Sequence, residues 1–198
     1  KQMFDDSNNN VDGEILIFKS RLLMGQVIGR LGLEIEYTVD DGLKNKTLYS
    51  DSPVTVHFPD STFTHPAVFS IIPLEGDNYR IEGLEDDPEG VITYTFGNPQ
   101  DSPVGRMVVH RTPSYNEKWK DIPVQVICAG KESLISSCLG KLEAERSVKD
   151  ANLLTLTYQD TNPERGDDIL NTLIQVYVDE SMRDKNMVIR NTAVFIDE

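Results

Sequence analysis

Cysteine is almost missing from this chain, Cys128 and Cys138 being its only two. They form neither a CxxC pair nor part of a four-ligand zinc pattern, which argues against a structural metal, while two thiols alone leave the redox compartment open. Histidine is scarce as well, with His57, His65 and His110 spread along the chain. No stretch approaches the ~18 uninterrupted apolar residues of a membrane span. The opening KQMFDDSNNNVDGE has no apolar core of the signal-peptide kind. Positive charge is in deficit, since 19 Lys and Arg against 33 Asp and Glu give a formal charge of −14. Such a field repels phosphate backbones and anionic bilayers, so nucleic acid is not an expected partner. The phosphate loop GxxxxGK[ST] is absent, as are GxSxG, HExxH and GxGxxG.

What is present is ordinary globular composition: 198 residues, 38% hydrophobic and 26% charged, enough to bury a real core as one domain with room for a subsidiary lobe. Ile15, Phe18, Leu22, Ile28 and Leu31 recur at roughly helical spacing, and Gly32 followed by Leu33 has the form of a glycine C-cap. One amphipathic helix is predicted from about Val11 to Leu31, with Leu22 on its core face. The period then switches from helix to strand, because Ile35, Tyr37 and Val39 alternate with Glu34, Glu36 and Thr38.

From Leu48 to Ile127 successive strands are predicted in SPVTVHF, AVFSII, NYRIEGL, VITYTF, GRMVVHR and IPVQVICA, divided by turn clusters such as EGDN, EDDPEG and GNPQDSP. KESLISSCLGKLEAERS follows as a predicted helix, with Leu134, Ile135, Cys138, Leu139 and Leu142 on one face. A last strand, Leu153 to Tyr158, leads to Asn162 as N-cap and Pro163 as first helical residue, because proline lacks only an N–H that would be unpaired there. The apolar stripe of this last helix runs through Ile169, Leu173, Val176 and Tyr177, lapses in DESMRDKN, and resumes at Val188, Phe195 and Ile196. A helix reaching Glu198 would be ~54 Å long, more than one sheet covers, so its far end is expected to seek another helix. It also raises the expectation of a segment taken from between membrane spans. The fold class is α+β, an antiparallel or mixed sheet packed against helices.

Candidate chemistry is thin. His57 and His110 can meet across strands, but with no cysteine ligand nearby they read as solvent-facing strand residues. Glu85 to Gly90, EDDPEG, is the densest carboxylate cluster and lacks the calcium-loop spacing, so a solvated hairpin turn is favoured. GKES, Gly130 to Ser133, ends like a phosphate loop without its upstream glycine, and a helix start explains it better. Cys128 lies on the Val124 and Val126 side of its strand and Cys138 on the apolar face of the following helix. Two buried thiols, or a disulfide closing the strand-to-helix turn, both remain open. No catalytic, cofactor-binding or metal-binding residue is assigned, and no enzyme activity is expected of this segment.

The ordered set ILIFKSRLLMGQVIGRLGLEIEY, LYSDSPVTV, EGVITYTFG and LLTLTYQDTNPERGDDILNTLIQVYVDESMRDKNMVIRNTAVFIDE resembles the periplasmic domain of the chain-length determinant family. These are the polysaccharide co-polymerases of the Wzz type and the Wzc-like tyrosine autokinases. The most specific parts are the LKSR…V…LGL helix, here with Phe18 for the Leu, and the D-x-NP-x-x-A-x-x-ILN helix start, here with Gly166 for the Ala. The resemblance implies an α/β base domain over residues 1–162. Residues 163–198 would be the start of a long helix that begins an extended helical hairpin and leads to a transmembrane span outside the segment. It implies a membrane-anchored protein on the periplasmic face of the bacterial inner membrane. As a homo-oligomeric ring, it would control the length and export of a capsular, exopolysaccharide or O-antigen chain. Its expected partners are copies of itself, the polymerase and export machinery, and the growing glycan. No cofactor is implied for this segment, and no motif in it separates the kinase branch from the kinase-free one. The rival readings are a soluble β-rich protein-binding module without membrane context and, more weakly, a glycan-processing enzyme using paired carboxylates.

The chain is expected not to bind ATP, because no phosphate loop is present and the net charge opposes a polyanion. Calorimetry checks this, and saturable binding at micromolar concentration would contradict it.

Overall fold

The computed structural model describes residues 11–42, 44–60, 63–147 and 153–196, with side chains as far as residue 184. The class is α+β, with four helices and antiparallel sheets. Two compact units divide the chain. One is Leu33–Lys131, and the other comprises the flanking segments, up to Gly32 and from Glu132.

The Leu33–Lys131 unit is built from strands β1 (Ile35–Asp40), β2 (Asn45–Thr47), β3 (Val54–His57), β4 (Ala67–Pro73), β5 (Asn78–Glu82), β6 (Thr93–Thr95), β7 (Pro99–Gln100), β8 (Met107–Arg111) and β9 (Val124–Cys128). A six-stranded sheet has the order β2-β1-β9-β4-β5-β6 and a three-stranded one the order β3-β8-β7. Every pairing is antiparallel among the described residues, so the mixed alternative does not arise. Alternation explains the layering: Val124, Val126 and Cys128 of β9 turn inward with Phe69 and Ile71 of β4, and meet Val54, Val56, Met107 and Val109 of the smaller sheet in one core. Sheet thus covers sheet in this unit. The six predicted strands are all found, and the short β2 and β7 were not foreseen.

The other unit holds helix α1 (residues 11–18), α2 (Arg21–Leu31), α3 (Lys131–Lys141), the hairpin β10 (Leu142–Arg146) and β11 (Leu154–Tyr158), and α4 (Pro163–Ile196). Two predictions need correction. The first helix is broken at Ser20, whose extended backbone and hydroxyl, accepting from the Leu23 N–H, cap a new helix. The interruption shifts the helical phase. Val11 and Phe18 are buried on α1, but on α2 the buried residues are Leu23, Met24, Val27 and Ile28, while Leu22 is 67% exposed. The C-cap matches its prediction, since Gly32 takes the left-handed conformation and its N–H bonds to Ile28 O.

The second correction concerns LEAER. It was predicted as helix, yet α3 stops at Lys141 and Leu142–Arg146 is a strand paired with β11. Leu142 and Ala144 are buried while Glu143 and Glu145 are exposed, a period of two that cross-strand pairing imposes over local helix propensity.

α4 runs 34 residues, ~51 Å at 1.5 Å per residue. Ile169, Leu173 and Val176 are buried, and α2 packs on the helix. Phe18 stacks on Tyr177 with ring centroids 4.5 Å apart, and Arg30 pairs with Asp179 at 2.8 Å. Val188, Phe195 and Ile196 lie outside the residues whose side chains are described. Among the described residues no helix is long and apolar enough to cross a membrane.

Leu23→Ala and Met24→Ala should each destabilise by about 2–5 kcal/mol, whereas Leu22→Ala should stay near 0.5 kcal/mol. Urea unfolding midpoints of the three variants check the phase shift, and equal effects would refute it.

Candidate functional site

The histidines are not gathered into a site. Thr55 pairs with His110 and His57 with Val108, so His57 and His110 are diagonal neighbours on the exposed face of the three-stranded sheet. His65 is exposed elsewhere, its Nδ1 3.0 Å from the Thr64 hydroxyl. Among the described residues no cluster of three His, Cys, Asp or Glu could hold a metal ion. Gly130–Ser133 is where α3 begins, Lys131 being its first residue.

The carboxylate cluster departs from a plain solvated turn. Asp87 is buried, and its two oxygens accept from the N–H groups of Val91 at 2.9 Å and Ile92 at 2.8 Å. Gly83 N–H closes the loop onto Pro88 O. Gly90 sits at φ +65° with a hypothetical Cβ 2.8 Å from Ile81 O, so only glycine fits there. The carboxylate is spent on backbone amides, which leaves Val91 and Ile92 exposed on a rigid loop beside Glu85, Asp86 and Glu89.

Both cysteines are free and buried, so the disulfide alternative is not formed. Burial pushes the Cys128 thiol up to about 11, which keeps it protonated and unreactive at neutral pH. Cys138 lies beside the Tyr158 phenol, whose pKa is raised by burial and then by hydrogen bonding to that thiol.

Two polar constellations escaped the sequence. In the β unit, the Arg111 guanidinium lies against the rings of both Phe96 and Tyr115, 4.6 and 4.3 Å from their centroids. It bonds Asp77 at 2.8 Å and the Gly76 carbonyl. In the other unit, Asp160 and Arg165 form a bidentate pair at the start of α4, Nε to Oδ2 at 2.9 Å and Nη2 to Oδ1 at 2.8 Å, with side chains 3% and 14% exposed. Asp160 Oδ1 also accepts the Asn162 N–H, and Asn162 Oδ1 accepts the Arg165 N–H, so the predicted N-cap holds and is itself clamped. Burial alone would raise the Asp160 pKa. The Arg165 hydrogen bonds, the Asn162 N–H and the charges of Arg165 and Lys141 outweigh it, holding the carboxyl below its ordinary value. The signal was present as Asp and Arg flanking Asn-Pro, but their spacing does not fit a helix i, i+4 pair.

The outer side of α4 carries an exposed apolar stripe. Ile174, Val178 and Met182 recur every four residues and are 45%, 41% and 60% exposed, on the side away from Ile169, Leu173 and Val176. α4 therefore has two apolar faces, one buried and one open. These arrangements are braces and surfaces, and no nucleophile is paired with a base among them.

Because the folded Asp160 carboxyl titrates below the unfolded one near 3.8, its contribution to stability is complete above that value and is lost as pH falls through the folded value. Asp160→Asn should cost about 3 kcal/mol at pH 7, and the gap to the parent protein should narrow as pH falls below about 4. Urea titrations of both proteins at neutral and acid pH check this, and a gap independent of pH would refute it.

No protein-family model matches the chain, and no curated protein matches it in sequence.

Proposed function

We propose that this chain is the periplasmic domain of a membrane-anchored polysaccharide co-polymerase of the chain-length determinant type. It would act as a non-enzymatic wall element of a homo-oligomeric ring that sets the length and export of a surface polysaccharide. The observation that carries the reading is the open apolar face of α4, Ile174, Val178 and Met182, on a helix of 34 residues whose opposite face is already packed. Such a helix is complete only against further helices. An extended helical hairpin would supply one and neighbouring protomers others. The clamped Asn-Pro start and the Gly32-capped entry helix are the two segments in which the sequence resembles that family most. Two flanking membrane spans would hold protomers at high local concentration, so individual contacts can be weak.

A second reading, a soluble module that binds another protein, draws on Val91 and Ile92, displayed on the loop that Asp87 and Gly90 hold rigid. It requires no membrane span in the parent protein, whereas the first reading requires two.

Mass photometry of the full-length protein in detergent should give a defined higher oligomer, while the isolated chain at micromolar concentration stays monomeric. Ile174→Glu with Met182→Glu should dissolve the oligomer and broaden the length distribution of the polysaccharide. A full-length protein that remains monomeric would overturn the ring.

A further inference from the structure

The hairpin β10–β11 is a sheet of two strands and so carries two outer edges. Ser147 N–H donates to Leu153 O and Gln159 N–H to Lys141 O, which fixes the phase of the ladder. The main-chain groups of Thr155 and Thr157 face β10, opposite Glu145 and Glu143, and those of Leu154, Leu156 and Tyr158 face away from it. Among the described residues no hydrogen bond reaches these three outer N–H and C=O pairs. The edges differ in chemistry. β10 bears Glu143, Glu145 and Arg146, charges of the kind that guard a strand edge. β11 bears none, and Ala151 to Gln159 is an uncharged run in a chain of net charge −14.

We propose that the outer edge of β11 pairs antiparallel with the same edge of a second copy of this chain, joining two hairpins into a four-stranded sheet. The strand Leu-Thr-Leu-Thr-Tyr is nearly palindromic about Leu156, which is what a two-fold contact requires. In the register centred there, Leu156 meets its own copy, Leu154 of each chain faces Tyr158 of the other, and Thr155 faces Thr157. The outer groups then exchange about six main-chain hydrogen bonds. Between two bodies that repel each other, this strip is where they approach with no charge on the contacting strand. The inference does not rest on the polysaccharide reading.

Sedimentation equilibrium over a concentration series, combined with amide exchange followed by NMR, tests it on the chain as it stands. A reversible dimer is expected at high concentration. The Leu154, Leu156 and Tyr158 amides should become protected as it forms, while Thr155 and Thr157 are protected throughout. Thr155→Lys with Thr157→Lys places the new charges beside Glu145 and Glu143 within each hairpin, so the fold is kept, but sets like charges opposite each other across the two-fold axis. Circular dichroism should be unchanged and the dimer association constant should fall at least about tenfold. No dimer at millimolar concentration, a dimer indifferent to the paired substitution, or a monomer whose outer amides are already protected from within the chain would each overturn the proposal.

Discussion

The buried pair Asp160–Arg165 is the constraint on which the helical unit depends. Taking a carboxylate and a guanidinium out of water is costly unless they are well bonded, and here two bonds join the pair while the Asn162 N–H adds a third to the carboxylate. The clamp leaves the chain little freedom between the end of β11 and the first turn of α4. Where α4 begins decides which of its faces meets α2, and so whether Ile169, Leu173 and Val176 or the opposite stripe is buried. Moving the start by one residue would turn the helix by about 100° and carry Ile169, Leu173 and Val176 out of the contact with α2. The surface ion pairs Arg30–Asp179 and Arg21–Glu132 follow from that packing rather than cause it, being exposed enough that solvent screens them.

The β unit is held on a different principle. Its core is closed by two antiparallel sheets whose inward side chains interdigitate, and polar groups serve at its ends. Tyr37 receives the Val56 N–H on its hydroxyl and so ties the large sheet to the small one. Arg111 sets its charge against the rings of Phe96 and Tyr115 and pairs it with Asp77. Asp87 satisfies the amides of a loop that would otherwise have to find water. These polar side chains fix backbone.

The functions proposed above all rest on surfaces. The chain offers an open helix face, a rigid loop carrying two apolar side chains, and an uncharged strand edge, and each has the chemistry of contact with polypeptide.

Much of the fold was legible in the sequence: the strand series from Val54 to Cys128, the Gly32 cap and the Asn162–Pro163 helix start all rest on local chemistry, where period-two alternation and capping residues act within a few positions. The inward side of β9, including Cys128, followed from the same alternation. What only the tertiary structure decided is which side chains are buried and which partners they find. The Ser20 break rephased the first helix because the packing of α2 buries Leu23, Met24, Val27 and Ile28 instead of Leu22. LEAER became a strand because β11 lies beside it. Arg111 found Phe96 and Asp77 from two other segments. Asp87 turned inward because Val91 and Ile92 needed an acceptor, so an acidic run that reads as solvated contains a buried carboxylate. Local propensity sets what a segment can form. Burial and hydrogen-bond satisfaction across the fold set which of those options costs least.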